Sequence, residues 1–283
     1  MLPLVLALAA SAAWGGADFL GGRASRGMGA LGVATVSKLF GVAGLAVACL
    51  IAGDVPSRTE AGWAIGAGLF GAVGLVELYR SLALGPMSLV APLTACGGAV
   101  PVVVAFATGD IPEPLTSIGL VVAFAGAVIV SRPADPGAAT PGMERAAVVH
   151  SLIAALTLGL GLTFLQQAAQ APGDATLGLS LAAALTTATV LVVTSASRRA
   201  LEAPPRLLLP AVVGCGLLDV SANVLFAQAS AEGEAAAVAV LASLYPLATV
   251  LLARIWLGER LSATQGAGVL TAMAGVAAIA AGA

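Results

Sequence analysis

Charge is scarce in this chain of 283 residues, at 9% Asp, Glu, Lys and Arg, against about 25% in an ordinary soluble domain. So few charges cannot solvate a protein-sized surface in water, which argues against a soluble fold. The net charge is −2 with 12 basic residues, so no basic footprint for nucleic acid exists. Only one histidine is present, His150, which argues against a His-based metal site or catalytic triad. The three cysteines, Cys49, Cys96 and Cys215, fall in apolar stretches at spacings that match no metal motif, and read as small packing residues. Aromatic residues amount to 4%; few aromatics and few charges suit an amphipathic or apolar metabolite. No GxxxxGK[ST] phosphate loop occurs, which excludes the usual machinery for ATP hydrolysis. No HExxH or GxSxG occurs either, and the carboxylates within apolar stretches are scattered, which counts against an intramembrane enzyme. No cofactor is expected.

What the chain does have is long apolar runs. It is 59% hydrophobic, with a mean hydropathy of +1.04. A hydrocarbon core of about 30 Å needs about 20 apolar residues per helix, so this length holds roughly ten crossings. The runs are Leu2–Leu20, Leu31–Ala52, Ala61–Leu84, Ser88–Ala107 and Leu115–Val130, then Ala146–Ala169, Leu177–Val193, Leu207–Ala229, Ala235–Leu257 and Ala263–Ala281. Each is expected to be helical, because lone strands would leave backbone groups unpaired in lipid. The first run resembles a signal-peptide core, but no cationic residue precedes it and it continues to Leu20, so it reads as a membrane helix. Between the fifth and sixth runs lies a polar stretch with Pro133, Pro136, Gly137, Pro141 and Gly142, the composition of a linker. The chain therefore divides into 1–131, a linker 132–145, and 146–283.

The two parts carry matching landmarks. Gly119-LVVAFA-Gly126 parallels Gly268-VLTAMA-Gly275, Phe19-Leu20 parallels Phe164-Leu165, and Gly85 parallels Gly233. Pro101 and Pro246 stand at matching places inside runs, where each would free a carbonyl one turn earlier, as would Pro92. Duplication follows. Five crossings per unit is odd, so the second unit enters from the opposite side. The expected fold is all-α and polytopic: ten transmembrane helices as two inverted five-helix repeats. That arrangement is typical of secondary transporters, with the substrate path near the midplane. Small residues at helical spacing, such as Gly62 and Gly66 and the run Gly68, Gly71, Gly74, would let helix backbones approach closely.

Loop charge orients the chain. Arg23, Arg26, Arg132, Arg145, Arg198, Arg199, Arg206 and Arg260 all fall on one side, and Arg58 on the other. The Arg-rich side is expected in the cytoplasm and both termini outside.

With the duplicated unit, the Trp14-Gly15 pair, the stretch YRSLALGPMSLVAPL from Tyr79 to Leu93, and LASLYPLATVLLARIWLGERLSATQ from Leu241 to Gln265, the chain resembles an EamA-type member of the drug/metabolite transporter superfamily. The resemblance covers nearly the whole chain. It implies ten helices in two inverted repeats and export or exchange of small metabolites or drugs across the bacterial inner membrane. It also implies termini in the cytoplasm, opposite to the charge bias. Glu259 and Arg260 belong to the family motif and serve as a turn and interface anchor.

Ionisable groups inside apolar runs cost at least about 2.5–3.5 kcal/mol to insert, and tend to face a cavity or a partner. The substrate-pathway candidates follow from that. Asp18 shares a helical face with Trp14 and either lines the path or is an interfacial carboxylate near Arg23. Lys38 is a counter-ion to a carboxylate or to an anionic substrate, or it snorkels to the interface. Glu77 and Arg80 lie three apart and either neutralise each other or handle a proton or substrate amine. Asp219 and Asn223 share a face; Gln166 lies near the end of its run with Gln170; Tyr245 stands beside Pro246 and suits either a cavity wall or the core. His150 reads as interfacial, and Trp63 and Trp256 as anchors. The partners implied are a small-molecule substrate, the lipid bilayer and a coupling proton carried by Asp18, Glu77 or Asp219; a homodimer is left open. The reading is a secondary transporter, with an intramembrane enzyme acting on lipid or a non-transporting scaffold or sensor as alternatives.

Overall fold

The computed structural model describes residues 2–100, 114–130, 141–171, 173, 175–198, 203–233, 238, 241–242, 244–258 and 262–281. Among them are ten α-helices and no strand. They are α1 (Leu2–Ser25), α2 (Ala30–Ala52), α3 (Arg58–Leu84), α4 (Met87–Ala95), α5 (Pro114–Val130), α6 (Pro141–Gln170), α7 (Thr176–Ser197), α8 (Leu209–Glu232), α9 (Tyr245–Leu257) and α10 (Ala263–Ala281). Six of these, α1, α2, α3, α6, α7 and α8, are long and apolar enough to cross a membrane; α4 with its following turn, α9 and the described part of α10 are shorter apolar segments.

Helix ends follow local chemistry. α3 begins three residues before its apolar run because Ser57 and Glu60 form a capping box. The Ser57 N–H donates to Glu60 Oε2 at 2.7 Å, and the Glu60 N–H donates to Ser57 Oγ at 3.2 Å. α2 stops at Gly53, whose φ of 68° is left-handed and whose N–H reaches back to the Cys49 carbonyl at 2.8 Å.

Two of the runs that hold internal prolines are interrupted. The run from Ser88 forms α4 only to Ala95, then tightens into a 3-10 turn over Cys96–Ala99. Pro92, inside α4, and the paired glycines Gly97 and Gly98 weaken the α-helix there. The run from Ala235 likewise breaks. The Leu244 N–H bonds the Leu241 carbonyl at 3.2 Å in a turn, and α9 starts afresh at Tyr245. Pro246 therefore stands in the first turn of a helix and not inside one, so no intrahelical hydrogen bond is lost to it. Pro101 and residues 132–140 of the expected linker 132–145 lie outside the described residues, and the rest of that stretch is not linker: Pro141 opens α6, a place a proline suits because its missing N–H costs no hydrogen bond in a first turn.

The distribution of side chains is that of a protein in oil. Large apolar groups such as Leu50, Ile51, Val121 and Leu270 point outward, each more than two-thirds exposed. Much of the interior is alanine and glycine, so contact between helices comes from close backbone approach. At Gly216 of α8, an added Cβ would collide with the carbonyl oxygen of Ser37 on α2. At Gly68 of α3 it would lie 2.5 Å from the carbonyl oxygen of Ala183 on α7. Thr187 then spans that crossing, its hydroxyl donating to the Gly68 carbonyl at 3.0 Å.

α3 lies antiparallel against α6, with Gly85 against Ala147, Gly74 against Leu158 and Gly66 against Phe164. α1 lies antiparallel against α8, with Pro3 against Gly233, Gly16 against Leu218 and Leu20 against Gly214. α2 pairs with α7, joined at one end by the Thr35 and Ser195 hydroxyls at 2.7 Å and at the other by Asp54 accepting from the Leu177 N–H at 2.9 Å. α5 packs on α10.

Candidate functional site

A cavity of about 120 Å³ lies between helices of both halves, bordered by residues of α1, α2, α3, α4, α6, α7, α8 and α9. Its wall is mostly apolar, with Leu75, Leu78, Leu158, Leu162 and Leu165. Close helix crossings shape it. On the α1 side, Gly15 permits α9 to approach so nearly that an added Cβ would sit 2.5 Å from Ala248 Cβ and 2.6 Å from the Tyr245 carbonyl oxygen. Thr249 seals the contact by donating to the Gly15 carbonyl at 3.2 Å. This crossing sets Trp14 and Tyr245, each adjoining the contact in sequence, on the same cavity.

Six of the sequence-derived candidates border it: Trp14, Asp18, Lys38, Asp219, Asn223 and Tyr245. Lys38 of α2 forms an ion pair with Asp219 of α8, so one buried salt bridge spans the two halves. Asn223, one turn beyond Asp219, donates to the Asp219 backbone carbonyl at 2.7 Å. Asp18 of α1 is 6% exposed and makes no ion pair among the described residues. Asp219 and Tyr245 border the same cavity. Trp14 leans on Phe226 of α8 with ring centroids 5.6 Å apart.

Glu77, Arg80 and Gln166 do not border the cavity. Glu77 is buried and takes two partners, Arg80 on its own helix at 2.5 Å and Nδ1 of His150 on α6. Three charged or chargeable groups thus meet at the α3–α6 crossing, and His150 has a defined partner there. Gln166 is also buried and engaged.

Three polar side chains on the cavity were not put forward from the sequence: Thr94, Ser180 and Thr187. Hydroxyls in apolar helices are common and often bond the carbonyl one turn back, as Thr94 does to Val90 at 2.6 Å. Ser180 differs. It is 2% exposed and its hydroxyl has no hydrogen-bond partner. Nothing in the spacing of α7 distinguishes it from its neighbours.

Several membrane-length helices around a cavity that holds charged groups between two halves define a polytopic helical membrane protein. The EamA-like transporter family model matches residues 1–132 and 145–281. The chain belongs to the EamA-like transporter family, within the drug/metabolite transporter superfamily, and is a membrane transporter. A protein solved by crystallography resembles it in fold, with a TM-score of 0.69 over 98% of this chain and 95% of its own, at 17% identity. No curated protein sequence matches the chain.

Proposed function

We propose that the chain is a secondary active transporter that exports or exchanges small metabolites or drugs across the bacterial cytoplasmic membrane by alternating access. It would do so as ten crossings in two five-helix repeats of opposite sense. The observation that carries the reading is the central cavity, walled by both halves and crossed by the Lys38–Asp219 pair. The pattern of helix contacts supports the repeat. Exchanging α1–α5 with α6–α10 turns the α3–α6 contact into α8–α1, α3–α7 into α8–α2, and α4–α6 into α9–α1, and all of these occur. Gly85 and Gly233 cap α3 and α8 alike, and each lies against the beginning of the partner helix, at Ala147 and Pro3. The breaks before Val100 and before Tyr245 fall at equivalent places, and broken helices at the repeat interface are where such transporters bind substrate.

Energy would come from a gradient or from exchange, with Asp18 the cavity carboxylate left for a coupling proton. In proteoliposomes with an imposed pH gradient, flux of an accepted solute should follow the gradient. Asp219→Asn, at the central ion pair, should lower flux more than Glu77→Gln. Flux indifferent to the gradient would reject proton coupling.

The Arg-rich loops would face the cytoplasm and both termini the exterior. Single cysteines at Ser131 and at Val55, which is 80% exposed, test this. A membrane-impermeant maleimide on intact cells should label Val55→Cys and leave Ser131→Cys unlabelled; the opposite pattern reverses the orientation.

A further inference from the structure

We infer that the cavity is built for a small organic monocation: a compact amine, positively charged at neutral pH, on an apolar body. This rests on the transporter reading above and adds its substrate class. The charged residues on the wall are Asp18, Lys38 and Asp219. Lys38 is taken by Asp219, so one buried cavity carboxyl, Asp18, remains without a cation among the described residues. A buried carboxyl with no cation beside it either holds a proton or takes a positive partner, and a cationic ligand would replace that proton. An anionic ligand would have to draw Lys38 off Asp219 and leave two carboxylates facing each other. A bare metal ion would balance the charge, but it needs several oxygen ligands. Of the two wall carboxylates Asp219 is already held by Lys38, and no group of three His, Cys, Asp or Glu able to hold a metal occurs among the described residues.

Two further features fit an amine. Trp14 and Tyr245 border the same cavity as Asp18, and aromatic faces attract cations. Ser180 supplies a buried hydroxyl without a partner, on α7. α7 begins at Thr176, so Ser180 lies roughly 6 Å along that helix from its start. Asp18 lies in the C-terminal third of α1. Since α1 starts beside Gly233 at the end of α8, the two groups stand at different depths. Ser180 thus offers a hydrogen bond in a part of the cavity apart from the ammonium at Asp18.

The test is a charge series of nearly equal shape on the purified full chain: 2-phenylethylammonium, 2-phenylethanol and phenylacetate. Binding is read by calorimetry and by thermal shift. The ammonium should bind about tenfold or more tightly than the alcohol, and the acid weakest. Asp18→Asn should bring ammonium and alcohol within about twofold of each other. Ser180→Ala should keep the preference for charge. The wild-type series decides the matter even if Asp18→Asn does not fold. Equal or tighter binding of the alcohol or the acid, or no binding of any of the three, overturns the inference. Flux in proteoliposomes is read separately. A chain that moves other solutes but refuses the ammonium remains a transporter of another class, whereas one that binds the ammonium and moves nothing loses the transport reading and keeps the site.

Discussion

Replacing Lys38 by Met is expected to destabilise the protein by about 3–5 kcal/mol, because a buried ion pair broken on one side leaves an uncompensated charge. Lys38 and Asp219 have side chains 8% and 15% exposed, so water cannot take over the role of the ammonium. Thermal unfolding in detergent should show a fall in Tm on the order of 10 °C. The double variant Lys38→Met/Asp219→Asn should recover most of that loss, since it removes both charges together. Transport should not recover with it if the pair takes part in substrate movement. A single and a double variant of equal stability would show that the pair does not couple α2 to α8.

Gly216→Ala should be nearly as damaging although it adds one carbon. Its Cβ would collide with the backbone carbonyl of Ser37, an atom that no rotamer change can move aside. α2 and α8 would have to separate, and the Lys38–Asp219 pair with them. Overpacking of this kind costs about 1–3 kcal/mol or more. Gly62→Ala is the control, because an added Cβ there meets nothing within 4 Å. In an exposed helix position alanine is favoured over glycine by about 0.8–1.0 kcal/mol, so that variant should be unchanged or slightly stabilised. Size-exclusion profiles and unfolding temperatures of the two proteins decide it. Equal behaviour would mean that the helix crossing is looser than its geometry implies.

The contrast between these glycines shows what a sequence can and cannot express. Gly62 and Gly216 look alike in a chain with 35 glycines. Only one of them carries a neighbouring backbone. In the same way, Glu77 and Arg80 are visible as a pair because three residues on a helix bring them to one face. His150, the third member of that group, comes from a helix 73 positions away. Asp18, Lys38 and Asp219 could each be singled out as ionisable groups in apolar runs. Which of them is paired and which is left facing the cavity depends on how α1, α2 and α8 meet. Ser180 had no signal, since its one distinction is the partner it lacks.

Helix boundaries divide along the same line. The capping box at Ser57 and Glu60 is local, and its residues can be read in order along the chain. The break before Tyr245 is not readable in that way. The proline marks the neighbourhood, but the turn falls before it, and the α-helix restarts with Pro246 in its first turn.

The sequence by itself determined the solvent: apolar runs of this length with so few charges can satisfy their backbones only as helices in a bilayer, and the motifs from Tyr79 and Leu241 carry the family. Tertiary structure decided which polar groups face one another, because in a helix bundle periodicity sets the face of a residue while the crossing of small residues sets its neighbour. The cavity, the bridge from Lys38 to Asp219 and the solitary Asp18 all arise at those crossings.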